Sequence, residues 1–147
     1  MSEIENQIVF GTSESQQLIL QPALPLLKTV SGKSILMQVE GRSGEFRGYT
    51  IVPISWEMLE HTLKALSEFS ENPSGEFTLA SEAREFWASM TGNGTGKIVA
   101  HGTLNDCHNR YTRLRFEVEF AKEQVLENIH NLKKIIKVKS EPDRKKA

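Results

Sequence analysis

Residues 113–120 read Arg-Leu-Arg-Phe-Glu-Val-Glu-Phe, and this alternation constrains the chain more than any other stretch. Successive side chains on a β-strand point to opposite faces. Leu114, Phe116, Val118 and Phe120 therefore share one face, and Arg113, Arg115, Glu117 and Glu119 share the other. Such a strand cannot be buried on both sides. It demands a sheet with one core face and one solvated face, the usual condition of an antiparallel sheet.

The stretch before it has the same character. Residues 97–104, KIVAHGTL, form a second strand candidate, and NDCHNRYT at 105–112 separates the two. This region holds His101, His108, an Asp and the only Cys of the chain, Cys107. Metal binding and nucleophilic catalysis both have to be weighed here. A structural zinc site draws four Cys or His ligands at paired spacings. Cys107 and His108 are instead adjacent, and His101 lies six residues before Cys107, on the strand face opposite Ala100 and Leu104. A Cys nucleophile needs a base and usually an orienting third group. The neighbouring His108 does not converge easily with Cys107, and His61 and His130 fall in predicted helices. The residue types match a hairpin loop rich in turn-forming Asn and Asp. No metal, no cofactor and no catalytic residue is predicted.

The rest of the chain supplies more strands. NQIVFGT and QLILQP each read as a short strand, and PALPLLKTVSGK as a connection. Ser34 to Val52 holds two β-type runs around Gly-Arg-Ser-Gly, a hairpin signal, and Pro53 is expected to end the second run. GEFTLAS and REFWASMT are further strands, and Asn93-Gly94 marks a turn before residue 97.

Two helices are expected. Ser55 can cap the first, whose apolar stripe is Trp56, Leu59, Leu63, Leu66 and Phe69 before ENPSG stops it. The second runs from about Lys122 to Lys137, with the stripe Val125, Ile129, Leu132 and Ile136, and Leu126 and Ile135 beside it. Each helix must bury its stripe and the sheet must bury one face. The expected fold is a two-layer α+β domain: a mostly antiparallel sheet of about six to eight strands with two amphipathic helices on one face. No internal repeat is evident. Residues 1–137 form the domain, and 138–147 a basic, flexible tail.

Charge narrows the partners. Residues 1–121 carry 10 basic and 15 acidic groups, and residues 122–147 carry 8 and 4. An acidic body argues against a nucleic-acid-binding core. No apolar run is long enough for a membrane span. The polar start MSEIENQ is not a signal peptide, and one Cys asks for no oxidising compartment. The expected location is the cytoplasm.

Two nucleotide-like motifs fail on spacing. Ser-Gly-Lys-Ser at 31–34 resembles the end of a phosphate-binding loop, but Leu27 stands where the first Gly belongs and a strand follows. Gly-Asn-Gly-Thr-Gly at 92–96 lies between two strands, not at the start of a helix.

Two surfaces are candidates for binding a partner. One is the polar sheet face with His101, Arg113 and Arg115. The other is the acidic region of the first helix and following strands, with Glu68, Glu71, Glu76 and Glu82. An acidic surface of this kind complements a basic partner and speeds its capture.

The pieces SWEMLEHTLKAL, GEFTLASE, GKIVAHGTL and RLRFEVEF, then Gln124, Leu126 and a closing helix, resemble the WapI-family immunity proteins of bacterial polymorphic toxin systems. The resemblance covers roughly residues 35–137. It implies a non-enzymatic inhibitor that binds a cognate toxin domain and blocks it, and it assigns no contact residues. The alternatives are a structural or adaptor domain for another protein or a small ligand, and an enzyme using Cys107 with a His. The sequence does not set the oligomeric state.

Overall fold

The computed structural model describes residues 7–13, 16–23, 33–72, 74–93, 97–105 and 113–140. Most of the connection read at 22–33, the Gly94 turn position, the loop bearing Cys107 and His108, and residues 141–147 lie outside them. The strands are β1 (Ile8–Ser13), β2 (Gln16–Pro22), β3 (Ser34–Ser43) and β4 (Phe46–Ser55), then helix α1 (Trp56–Glu71). They continue with β5 (Ser74–Ala80), β6 (Phe86–Asn93), β7 (Lys97–Asn105) and β8 (Arg113–Ala121), then helix α2 (Lys122–Ser140).

The fold is α+β, with eight strands and two helices among the described residues. The strands divide into two four-stranded antiparallel sheets, β1-β2-β3-β4 and β5-β6-β7-β8, where the sequence reading expects one sheet. Among the described residues, each half of the chain is thus four strands followed by a helix. This repetition of element order has no counterpart in the amino-acid sequence, because strand alternation and helix amphipathicity specify elements without specifying particular residues.

One continuous core joins both sheets and both helices. The first sheet contributes Phe10, Leu18, Met37 and Ile54, and the second contributes Leu79, Phe86, Val118 and Phe120. Strands β1, β2 and β3 lie against β8, and β4 lies against β7. Phe10 and Phe120 meet with ring centres 4.7 Å apart. Gly41 and Gly48, directly paired between β3 and β4, leave room for Leu104 and Leu114 of the other sheet. A Cβ on Gly41 would lie 3.1 Å from Leu104 Cδ2 and 3.2 Å from Leu114 Cδ2. The reading of Gly41 as part of the hairpin break is corrected accordingly: the turn is Gly44-Glu45, closed by the Ser43–Phe46 pair.

Pro53 does not end β4, which continues to Ser55. Its carbonyl accepts from the Glu82 N–H at 3.3 Å, so the Pro53 backbone points away from β3. The missing N–H falls on the outer edge and costs no ladder hydrogen bond. Ser55 then caps α1 as expected, accepting from the Met58 N–H at 3.0 Å. Trp56, Leu59, Leu66 and Phe69 are buried, while Leu63 is only half-buried. Thr62 takes the remaining buried position, its hydroxyl donating to the Met58 carbonyl at 2.8 Å.

Helix α2 departs further from its expected stripe and runs past Lys137 to Ser140. Val125, Leu132 and Ile135 are buried, Ile129 and Ile136 are half-buried, and Leu126 is 53% exposed. Asn128 and Asn131 are buried beside them. The reason is the free edge of β1. Gln124 accepts from the Gly11 N–H at 2.9 Å and donates to the Gly11 carbonyl at 3.0 Å. Asn128 accepts from the Val9 N–H at 3.0 Å and donates to the Val9 carbonyl at 2.8 Å. Asn131 donates to the Gln7 carbonyl at 2.9 Å. The helix runs antiparallel to the strand, and its side-chain amides stand where a neighbouring strand's backbone amides would be.

The spacings explain why this works. Four helical residues rise about 6 Å and two strand residues about 6.8 Å, so Gln124 and Asn128 match Gly11 and Val9 closely. The three-residue step to Asn131 rises only about 4.5 Å, and Asn131 makes one bond in place of two.

Asn128→Ala should therefore strip Val9 of both partners. Leaving such groups unpaired lowers stability by about 1–3 kcal/mol, read as a shift in urea unfolding. Leu126→Ala on the exposed side should change it by less than about 0.5 kcal/mol. Equal losses in the two variants would show that the amide row does not hold the edge.

Candidate functional site

The outer face of the second sheet gathers most of the polar residues singled out in the sequence. The registers place them in rows across the strands. One row is Glu76, Thr91, Val99 and Glu119; the next is Thr78, Ser89, His101 and Glu117. A third is Ala80, Trp87, Thr103 and Arg115, and a fourth pairs Asn105 with Arg113. The face is consequently polarised along the strands, with carboxylates at one end and guanidinium groups at the other. Every charged side chain of β8 on this face is exposed, as the alternation of 113–120 predicts.

Between the two ends lies an open depression of about 580 Å³, lined by Trp87, His101, Thr103, Arg113, Arg115 and Glu117, with Ser43 of β3 reaching it from the first sheet. The Trp87 and His101 rings meet edge to face, with centres 5.9 Å apart. The Arg113 Nε donates to Asn105 Oδ1 at 3.1 Å, which braces that guanidinium. Lys97 and Glu119 approach to 3.8 Å, an exposed pair worth little to stability. Among the described residues, Arg115 and Glu117 have no ion-pair partner.

Gly102 shapes this depression. A Cβ there would fall 1.9 Å from the Trp87 carbonyl oxygen, so β6 and β7 approach each other more closely than any side chain at this position allows. An isolated Gly inside a strand signals such an approach.

The structure brings His101, Arg113 and Arg115 together around the depression and puts Glu76 on the same face, at its acidic end. It does not bring Glu68, Glu71 and Glu82 to them. Glu68 and Glu71 occupy the last turns of α1. That helix has no basic residue in its final turn, so its carboxylates face the negative end of the helix dipole. Glu82 lies in the β5–β6 turn, where its carboxylate accepts from the Ser34 hydroxyl and ties β3 to that turn. Its role in the fold is structural. The lining residue that sequence reasoning missed is Trp87. Trp87 had a signal: in Phe86-Trp87-Ala88 the alternation puts Phe86 in the core and Trp87 outside it.

Cys107 and His108 lie outside the described residues. Among the described residues, no group of three or more His, Cys, Asp or Glu side chains is placed to hold a metal ion. No helix there is long and apolar enough to cross a membrane. Comparison with protein-family models, with curated proteins and with solved structures gives no match to this chain.

Two outcomes follow from this geometry. Gly102→Ala must force β6 and β7 apart, and its chemical unfolding should show a loss of about 1–3 kcal/mol, the usual cost of overpacking. Glu71→Lys should raise stability by about 0.3–1 kcal/mol, since a cation then meets the helix C-terminus. A thermal unfolding midpoint below that of the parent protein would count against the dipole argument.

Proposed function

We propose that this chain is a non-catalytic, immunity-type binding protein that captures a cognate toxin domain and neutralises it by occlusion. The observation that carries the reading is the outer face of β5–β8, an exposed surface with Trp87 and two Arg residues converging on one depression. Trp and Arg are the residue types that most often dominate binding energy at protein interfaces. In this reading both helices back the apolar side of the sheets and leave the polar face free for the partner. The guanidinium end attracts an acidic patch, and the carboxylate end a basic one, which fixes the orientation of the encounter. The resemblance to WapI-family immunity proteins supports the choice of partner, and the proposal has the protein acting in the cytoplasm.

A small ligand is the second reading, because the depression is of a size that small-molecule sites occupy. The depression is open, whereas such sites enclose most of their ligand, and a protein partner fits it better.

The test is capture with the full chain as bait against the products of neighbouring genes, followed by assay of the captured protein. One partner should bind in a stoichiometric complex and lose its activity. Trp87→Ala should weaken that complex by about 2 kcal/mol or more, as truncation of a central aromatic anchor does. An affinity left intact by both Trp87→Ala and Arg115→Glu would rule out this face as the contact surface. Binding without inhibition would rule out occlusion.

A further inference from the structure

We propose that the outer face of β5–β8 is self-complementary and that two copies of this chain associate face to face through it. The order of charges on β8 is the starting point. Arg113 and Arg115 precede Phe116, and Glu117 and Glu119 follow it, all four exposed on one face. Reversing the strand therefore exchanges every positive charge for a negative one.

The registers extend this relation across the sheet. Leu79, Ala88, Gly102 and Phe116 form one row. A two-fold axis running along that row, in the plane between two facing sheets, sets each strand antiparallel over its own copy. Arg115 then stands over the partner's Glu117, and Arg113 over the partner's Glu119. The same operation places Trp87 over the partner's Ser89 and His101 over the partner's Thr103. Bulk meets small side chains about the same axis that matches the charges. A two-fold interface requires self-complementarity of this kind. Facing sheets lie about 10 Å apart, a gap that an Arg and a Glu side chain bridge together. Arg115 and Glu117, which flank the axis, have no ion-pair partner among the described residues and are left for the second copy.

Self-association through this face goes beyond the capture of a toxin and stands or falls separately. Where both hold, a partner that takes the face has to displace the second copy.

Sedimentation equilibrium of the full-length protein tests the inference. The parent protein should form a dimer that weakens as salt is raised, since its central contacts are solvent-screened charge pairs. Arg115→Glu makes two like-charged contacts by symmetry and should weaken the dimer by at least about tenfold. The double variant Arg115→Glu/Glu117→Arg restores opposite charges across the axis and should recover the dimer. Circular dichroism checks that the single variant folds, and Glu117→Arg probes the same contact if it does not. A parent protein that stays monomeric overturns the inference. So does a dimer indifferent to Arg115→Glu, or a double variant that fails to recover association.

Discussion

A row of three side-chain amides lets the first sheet end where it does. Among the described residues, strand β1 has no neighbour beyond it in its sheet, and its outward backbone groups face α2. Gln124, Asn128 and Asn131 meet those groups as a fifth strand would. A bare edge strand invites pairing with another chain, and natural proteins cover such edges. Here the cover also sets the rotation of α2 about its axis. With Asn128 fixed on Val9, the helix turns Val125, Leu132 and Ile135 inward and leaves Leu126 in solvent. The link between the two halves of the chain is thus partly polar: the last element of the second half completes the first sheet of the first half.

This also separates what was legible in the sequence from what was not. Local alternation marked β3, β7 and β8, and Ser55 and the Trp56 stripe marked α1, because those signals depend on neighbours a few residues apart. The division into two sheets was not legible. Within each sheet every strand pairs with its chain neighbour, and nothing in the local pattern of β4 or β5 says that the ladder breaks between them. The stripe on α2 was only partly legible for a related reason: Val125 and Leu132 are buried, while Ile129 and Ile136 only pack against the rim of the core. Apolar spacing alone favours Ile129 and Ile136, and the competing claim of Asn128 and Asn131 arises from an edge about 120 residues away. The polar spacing Gln124, Asn128, Asn131 was present in the sequence, but only a sheet edge beside it gives it meaning. Pro53 shows the same limit, since a Pro ends a central strand and is harmless on an edge.

The candidate site was more legible than the fold around it. Arg113, Arg115 and His101 could be assigned to one solvated face by parity, and the register confirms that His101 lies opposite Glu117 and next to Trp87. What parity could not supply was the row order across four strands. That order shows the face to be polarised, and it separates Glu76, which belongs to the face, from Glu68 and Glu71, which belong to α1. The charges of Glu68 and Glu71 oppose the helix dipole, while Glu82 is committed to Ser34. A single acidic surface running from the first helix to the following strands is therefore three separate environments.

Gly102 connects the architecture to the surface. Its missing side chain lets β7 close on the Trp87 carbonyl, and it lies in the row between Trp87 and His101 that separates the acidic from the basic end. The residues flanking it in sequence, His101 and Thr103, both line the depression. A larger residue at 102 would push β7 away from β6 and change the separation of Trp87 from His101 and Thr103, while the charges of β8 kept their order. Shape and charge on this face consequently have different origins: the order of charges is written into one strand, whereas the depression depends on how closely two strands approach. A partner that reads charge alone would tolerate a shift of β7, and one that seats a side chain beside Trp87 would not.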